Sequence, residues 1–287
     1  MRHIAYDQVV RAVKDLCIEA AHRLDDDVME ALRRAERSET DGQARTILKR
    51  ILENTDLADR QRVPLCQDTG VAVVFVDQGN RTTVDPPGNG DDTGLPEAIN
   101  EGVAAGYEEG YLRKSIVSDP VYLRKNTGTN TPAIIHHSWV RGEQLKLTVM
   151  LKGGGCENRS ECKMLTPAEG QAGIEKFVVE TVCRAGADAC PPFVVGVGIG
   201  GNFELACLLA KKALIRRLDE RNGDPRYATL EQTLLSRINE LGVGPMGMGG
   251  KTTALAVLIE TYPCHIASLP VAVNIECHSH RHRTTLL

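Results

Sequence analysis

Apolar positions in the first fifth of the chain recur at helical spacing. Val10, Val13, Cys17, Ala20 and Leu24 fall three or four residues apart, the stripe of a helix with one buried face. Residues 5–56 read as two or three helices. Asp25-Asp26-Asp27 offers an N-cap for the second and Thr40-Asp41 for the third. The pattern then changes. Val71-Ala72-Val73-Val74-Phe75-Val76 is an unbroken apolar run and predicts a buried strand over 71–77. The polar stretch Gly79 to Gly94, rich in Gly, Pro and Asp, reads as an exposed loop. Pro96 suits the first turn of a helix running to about Tyr111. Ala133–Val140 and Gln144–Leu151 look like paired strands turning at Arg141-Gly142-Glu143. A helix is expected from Pro167 to about Arg184, then a short strand Phe193-Val194-Val195. Helices 203–218 and 229–241 follow, the first carrying Cys207 on a stripe with Phe203, Ala210, Leu214 and Leu218. Apolar runs at 254–259 and 269–275 close the list. The expected fold class is α+β, an N-terminal helical region followed by mixed strands and helices. With no repeat and no separating linker, 1–287 reads as one domain. Its helical subregion is 1–60, and 61–287 carries the chemistry.

Composition narrows the function classes. A chain with 42% hydrophobic and 25% charged residues is an ordinary globular protein. Its net charge of −4 argues against a general nucleic-acid binder, though not against a local anion pocket. The start, Met1-Arg2-His3-Ile4-Ala5-Tyr6-Asp7, lacks the apolar core of a signal peptide, and no apolar run has membrane-spanning length. A cytoplasmic location is expected. Nine cysteines are many for a reducing compartment, and an odd number. Disulfides are disfavoured there, so metal or redox chemistry comes forward. Cys17 and Cys207, on their helical stripes, read as core residues.

Several stretches carry candidate chemistry. Gly196, Gly198 and Gly201 match G-x-G-x-x-G, with Asp219 and Glu220 downstream, which would suit a dinucleotide-binding oxidoreductase. Against it, the preceding strand is short and repeated βαβ alternation is missing. The stretch 244–252 approaches a phosphate loop, but Pro245 stands where its first Gly is required. Lys251 could still face an anion. Cys264, His265, Cys277 and His278 allow a zinc-stabilised binding module. Cys66-Gln67-Asp68-Thr69-Gly70 places a soft ligand, an amide and a carboxylate just ahead of the buried strand. In Lys152-Gly153-Gly154-Gly155 the glycines suit close approach of backbone to a small anion. Cys190, before two prolines, and Cys277, at the end of an apolar run, lie far from Cys66 in sequence. Such ligands can meet only through the whole fold.

The pentapeptide 66–70, Asn126-Thr127-Gly128-Thr129-Asn130, the triple glycine, Cys190-Pro191-Pro192 with its glycine run, Gly244-Pro245-Met246-Gly247 and the 264–282 tail occur in an informative order. In that order the chain resembles class I, iron–sulfur fumarate hydratases, most closely the α subunit of the two-subunit form. L-tartrate dehydratase α subunits are close relatives. The resemblance implies a [4Fe–4S] cluster held by Cys66, Cys190 and Cys277, with one open iron acting as a Lewis acid. It implies hydration of fumarate to (S)-malate, with L-tartrate dehydration as the alternative. Asp68 and His265 take the catalytic positions. Gln67, Arg113 and the N–H of Gly155 take the substrate-binding ones. Arg124 is the surface twin of Arg113, and His278, His280 and His282 are expected as solvated tail residues. Cys156 stands where relatives carry Ser and, with Cys264, competes for a place near the cluster. Single-chain members of the family carry a further C-terminal domain, whereas this chain ends at Leu287. The motifs supply one arginine, too few for a dicarboxylate. A β subunit completing the site, in an α2β2 assembly, is the corresponding expectation.

Overall fold

The computed structural model describes residues 1–87 and 93–287. In chain order the elements are β1 (Arg2–Ala5), α1 (Tyr6–His22), α2 (Asp26–Ser38), α3 (Gly42–Gln61), β2 (Val71–Gly79), β3 (Thr82–Asp85) and α4 (Leu95–Glu109). Then come β4 (Ile134–Val140), β5 (Leu145–Lys152), the one-turn α5 (Gly154–Glu157), β6 (Glu161–Leu165), α6 (Gly170–Ala185) and β7 (Phe193–Gly200). The last are α7 (Phe203–Ala213), α8 (Pro225–Glu240), β8 (Ala254–Tyr262), β9 (Leu269–Glu276) and β10 (His282–Leu286). Helices and strands mix as the α+β expectation requires. By packing, the chain divides into two interleaved units. One comprises Met1–Leu24, Thr55–Gly154 and Arg281–Leu287; the other, Asp25–Asn54 and Gly155–His280. The N-terminal helices are present but form no subregion of their own, because α1 belongs to the first unit and α2 to the second.

The first unit contains a four-stranded sheet, β10-β5-β2-β4, with α1 packed on β5 and β10 and α4 packed on α1. Val9, Val13 and Cys17 of α1 meet Ile99, Val103 and Tyr107 of α4 and Val74, Val76, Leu147 and Val149 of the sheet. Burial pushes the Cys17 thiol up to about 12, as befits the core residue expected. Two expectations are corrected here. The strands β4 and β5 are not partners: β2 lies between them, parallel to β4 and antiparallel to β5. An apolar run of that length needs neighbours on both edges, and the central place supplies them. The stretch read as a loop after Gly79 contains β3, which pairs with β1 in parallel; its residues 88–92 lie outside those described.

The second unit has the sheet order β6-β9-β7-β8, with β7 parallel to β8 and antiparallel to β9. Phe177, Val178 and Val182 of α6 and Leu230, Leu234 and Ile238 of α8 pack with Val195, Val197 and Ile275. On α7, Ala206 and Ala210 meet Ala272 of β9. The glycine run is the sheet's part of that contact, not a nucleotide loop. It forms β7 itself. A Cβ on Gly196 would lie 2.1 Å from the carbonyl oxygen of Ala210, and one on Gly198 2.1 Å from that of Ala206. Gly196 and Gly198 lie inside the strand with α7 packed on them, whereas the motif needs its glycines in the turn after the strand, so the dinucleotide reading fails. Because Ala206 and Ala210 face the sheet, Cys207 turns outward and is exposed, against its expected place in the core.

Caps follow the sequence in one case of two. Asp41 Oδ1 accepts from the Ala44 N–H at 2.8 Å, capping α3. Asp25 precedes α2 without a side-chain cap, and its neighbour Asp27 instead accepts from the Leu218 N–H at 2.7 Å. No helix among the described residues is long and apolar enough to cross a membrane.

Candidate functional site

In the first unit the chain leaves α3, turns through 65–70 and enters β2. Gly70 makes that entry possible. Its φ is 78°, and a Cβ there would lie 2.5 Å from the Lys152 carbonyl oxygen, so only glycine fits. The turn is tied down from three sides. The Tyr107 hydroxyl donates to the carbonyls of Thr69 (3.0 Å) and Gly70 (2.9 Å). Asn130, 0% exposed, donates to the Gly70 carbonyl at 3.1 Å and accepts from the Ser115 N–H at 2.7 Å. The Thr69 hydroxyl donates to the Arg113 carbonyl at 2.7 Å. The 66–70, 113–115 and 126–130 motifs thus form one hydrogen-bonded body.

Asp68 sits at its centre, half-buried. Its Oδ1 accepts from the Gly70 N–H at 3.0 Å and its Oδ2 from the Gly154 N–H at 2.8 Å. Each oxygen has a second lone-pair direction left. Arg281 Nη1 donates to the Asp68 carbonyl at 2.7 Å. Cys66 is half-buried, and its thiol donates to Gln67 Oε1 at 3.4 Å; Gln67 is exposed. Arg113 is exposed, and among the described residues its guanidinium has no ion pair. Arg124 differs: its Nη1 donates to the Pro120 carbonyl of its own turn at 2.6 Å.

In the second unit Cys190 precedes β7 and Cys277 follows β9. The antiparallel pairing of Val194 with Glu276 brings both to one end of the sheet. Cys190 has φ 55° and ψ 65°, a left-handed conformation that costs a non-glycine residue strain and tends to occur at functional positions. His278 donates to the Cys190 carbonyl through its backbone N–H (3.4 Å) and Nδ1 (3.1 Å). The Met246 N–H donates to the Pro191 carbonyl at 2.8 Å, so the 244–247 motif joins this end. Cys277 does not stand alone. Its thiol lies 3.8 Å from Glu276 Oε1, and the thiol of Cys156 lies 3.6 Å from the same oxygen. Ligand atoms of Cys156, Glu276 and Cys277 all fall within 4.8 Å of one another. Gly155 is exposed, with open space where a Cβ would be.

His265 lies elsewhere. It sits before β9 and Cys277 after it, so the eight residues of that strand separate them by roughly 26 Å. The exposed His265 accepts at Nδ1 from the Ala267 N–H at 3.1 Å, which leaves the proton of the neutral ring on Nε2. With Cys264, Arg226 and Tyr227 it lines a cleft of about 470 Å³. The proposed zinc group Cys264, His265, Cys277 and His278 therefore cannot close, because β9 holds its halves apart.

A sequence model of the family described as Fumarate hydratase (Fumerase) matches residues 10–285. The chain belongs to the fumarate hydratase family. A protein of Methanocaldococcus jannaschii bearing the provisional name L(+)-tartrate dehydratase subunit alpha is 43% identical over 272 residues, 94% of each chain. The L(+)-tartrate dehydratase subunit alpha of Escherichia coli O157:H7 is 32% identical over 285 residues, 99% of this chain and 92% of that one. As a fumarate hydratase family chain it is a hydro-lyase.

The donor set suits the family's iron–sulfur chemistry. Cys66, Cys190 and Cys277 are thiols at turns and strand ends, each partly accessible, and thiolates are the usual ligands of such clusters. Sequence reasoning missed Arg281 and Glu276. The tail expected to be solvated is buried: Arg281 is 2% exposed and His280 1%, and His282 opens β10, antiparallel to β5. Its polar composition hid this, since Thr284 pairs with Thr148 through hydroxyls rather than apolar contact. Glu276, 0% exposed, completes an apolar strand and carries no sequence signal of its own.

Proposed function

We propose that this fumarate hydratase family chain is the α subunit of a hydro-lyase that adds water reversibly across the double bond of a four-carbon dicarboxylate. The observation that carries the reading is the Asp68 carboxylate, gripped through both oxygens by backbone N–H groups directly after Cys66. A proton carrier must be held in place while its free lone pairs face the substrate, and the two backbone N–H bonds support that role for Asp68. Cys66, Cys190 and Cys277 would hold a [4Fe–4S] cluster. When bound, it would supply an open iron as a Lewis acid for the departing hydroxyl. Arg113 would pair with a substrate carboxylate through two parallel hydrogen bonds, joined by the Gly155 N–H and the Gln67 amide. Asp68 would give or take the proton at the departing oxygen. His265 would serve a proton transfer only in an assembly that carries it to another copy's site, given its place across β9 from Cys277.

The first substrate reading is fumarate and (S)-malate, supported by the family description. L-tartrate is the second, supported by the names of the two relatives. A β subunit, most simply in an α2β2 assembly, would supply the cations for the second carboxylate and the base opposite the departing oxygen. The test is anaerobic reconstitution with iron and sulfide, with and without a purified second subunit. The chain alone should bind a cluster with one removable iron and turn over poorly; the second subunit should restore hydration of fumarate. Cys190→Ser or Cys277→Ser should lose cluster and activity together, whereas Cys17→Ser should keep the cluster. A full cluster and full activity in Cys190→Ser would overturn the ligand assignment. A larger kcat/KM for L-tartrate than for malate would reverse the substrate order.

A further inference from the structure

The cluster reading uses three of nine cysteines, and two of the others meet in the second unit. Cys162, half-buried on β6, and Cys207, exposed on α7, wall one cavity of about 270 Å³ together with Glu157, Lys211 and Asn274. The Cys162 thiol donates to the Phe203 carbonyl at 4.0 Å, one helical turn before Cys207 on α7, which sets it against the start of that helix. The contact follows from the fold. Gly196 and Gly198 let α7 settle on the sheet through Ala206 and Ala210, with Cys162 packed at the edge of the same cluster. Cys207 is thereby set at the border of that face, against edge strand β6. Lys211, one helical turn after Cys207 and on the same face, donates to Glu157 Oε1 at 2.5 Å, and Asn274 Nδ2 donates to Glu157 Oε2 at 3.0 Å. This network fixes the cavity wall beside the two sulfurs.

We propose that Cys162 and Cys207 are a reversible disulfide-forming pair that exchanges with small-molecule disulfides. Cys207 is the attacking sulfur, being exposed and beside a lysine. As thiolate it attacks one sulfur of the small disulfide, forming a mixed disulfide and releasing one small thiolate. Cys162 then attacks the Cys207 sulfur. The Cys162–Cys207 bond forms, the bond to the small thiol breaks, and the proton of Cys162 leaves with the second small thiol. Two protein thiols are oxidised and one small disulfide is reduced to two thiols. Burial first, and then the Cys207 contact, push the Cys162 thiol up to about 12, so it is the resolving partner and not the first nucleophile. Cys183 and Cys264 are also exposed and serve as internal comparisons.

The test is oxidised glutathione on the full chain, followed by alkylation and peptide mass mapping. The expected product is a Cys162–Cys207 cross-linked peptide, reversed by dithiothreitol, at concentrations where Cys183 and Cys264 carry only glutathione adducts. In Cys162→Ser the glutathione should stay on Cys207 as a stable mixed disulfide. Modified Cys183 or Cys264 without the cross-linked peptide in the wild-type chain would overturn the proposal. So would a Cys162→Ser chain whose Cys207 holds no more glutathione than wild type.

Discussion

Two carboxylates in this protein are held by the same device and left in different states. Asp68, in the first unit, accepts two backbone N–H groups and stays half-buried. Glu39, in the second, accepts three: Thr40 (2.8 Å) and Asp41 (2.9 Å) on Oε1, and Lys251 (2.7 Å) on Oε2. It is 4% exposed. Glu39 joins the end of α2 to the 249–252 loop and has no room for a ligand: a Cβ on Gly250 would already lie 2.7 Å from its Oε2. Asp68 joins the turn before β2 to the triple glycine, and its oxygens keep a side open. A clamped carboxylate is thus a staple when its remaining lone pairs are walled in, and a candidate proton carrier when they are not. Lys251, read from sequence as a possible anion contact, belongs to the staple through its backbone N–H.

Three measurements press on that contrast. The largest effect is expected at Asp68. Asp68→Asn keeps the shape and removes the proton-carrying capacity, so turnover of the assembled enzyme should fall by about 10²-fold or more, with cluster content and melting temperature close to wild type. Unchanged turnover at full cluster loading would make Asp68 a staple like Glu39.

Next comes the arginine beside it. Arg113→Lys removes a paired fork but keeps the charge, and should raise KM by about tenfold, the equivalent of one charge-assisted hydrogen bond. Arg124→Lys, whose guanidinium is occupied by Pro120, should leave KM as it is. Equal effects from the two would remove Arg113 from the site.

The smallest effect is on stability alone. Glu39→Gln sets an amide donor against the backbone N–H groups and should cost about 1–2 kcal/mol, without changing turnover per folded molecule. The pH dependence identifies the cause. Burial pushes the Glu39 carboxyl up, but the N–H groups of Asp41, Lys251 and Thr40 outweigh it and hold the group below the ordinary glutamate value. A depressed carboxyl contributes fully above its unfolded pKa and loses that contribution as pH falls through the folded one. The gap between wild type and Glu39→Gln in denaturant midpoints should therefore be widest near neutrality and close below about pH 4. A gap that widens on acidification would contradict the assignment.

Local pattern carried much of this architecture. Helical spacing located α1 with Cys17 in its core, the apolar run located β2, and the order of the short motifs led to the family. These features depend on neighbours in the chain, through side-chain periodicity or a turn that only Gly70 can make. What the tertiary structure decided was who pairs with whom. The two edges of β2 needed partners, so β4 and β5 were split around it. A second neighbour for β5 came from a polar tail, which buried Arg281 against the Asp68 turn. The glycines of 196–198 proved to be clearance for α7, which turned Cys207 outward. Strand β9 kept His265 away from Cys277 while setting Cys156 and Glu276 beside it. Hydrogen bonds along a sheet edge and contacts across a sheet face form between residues remote in the chain, and local spacing carries no record of them.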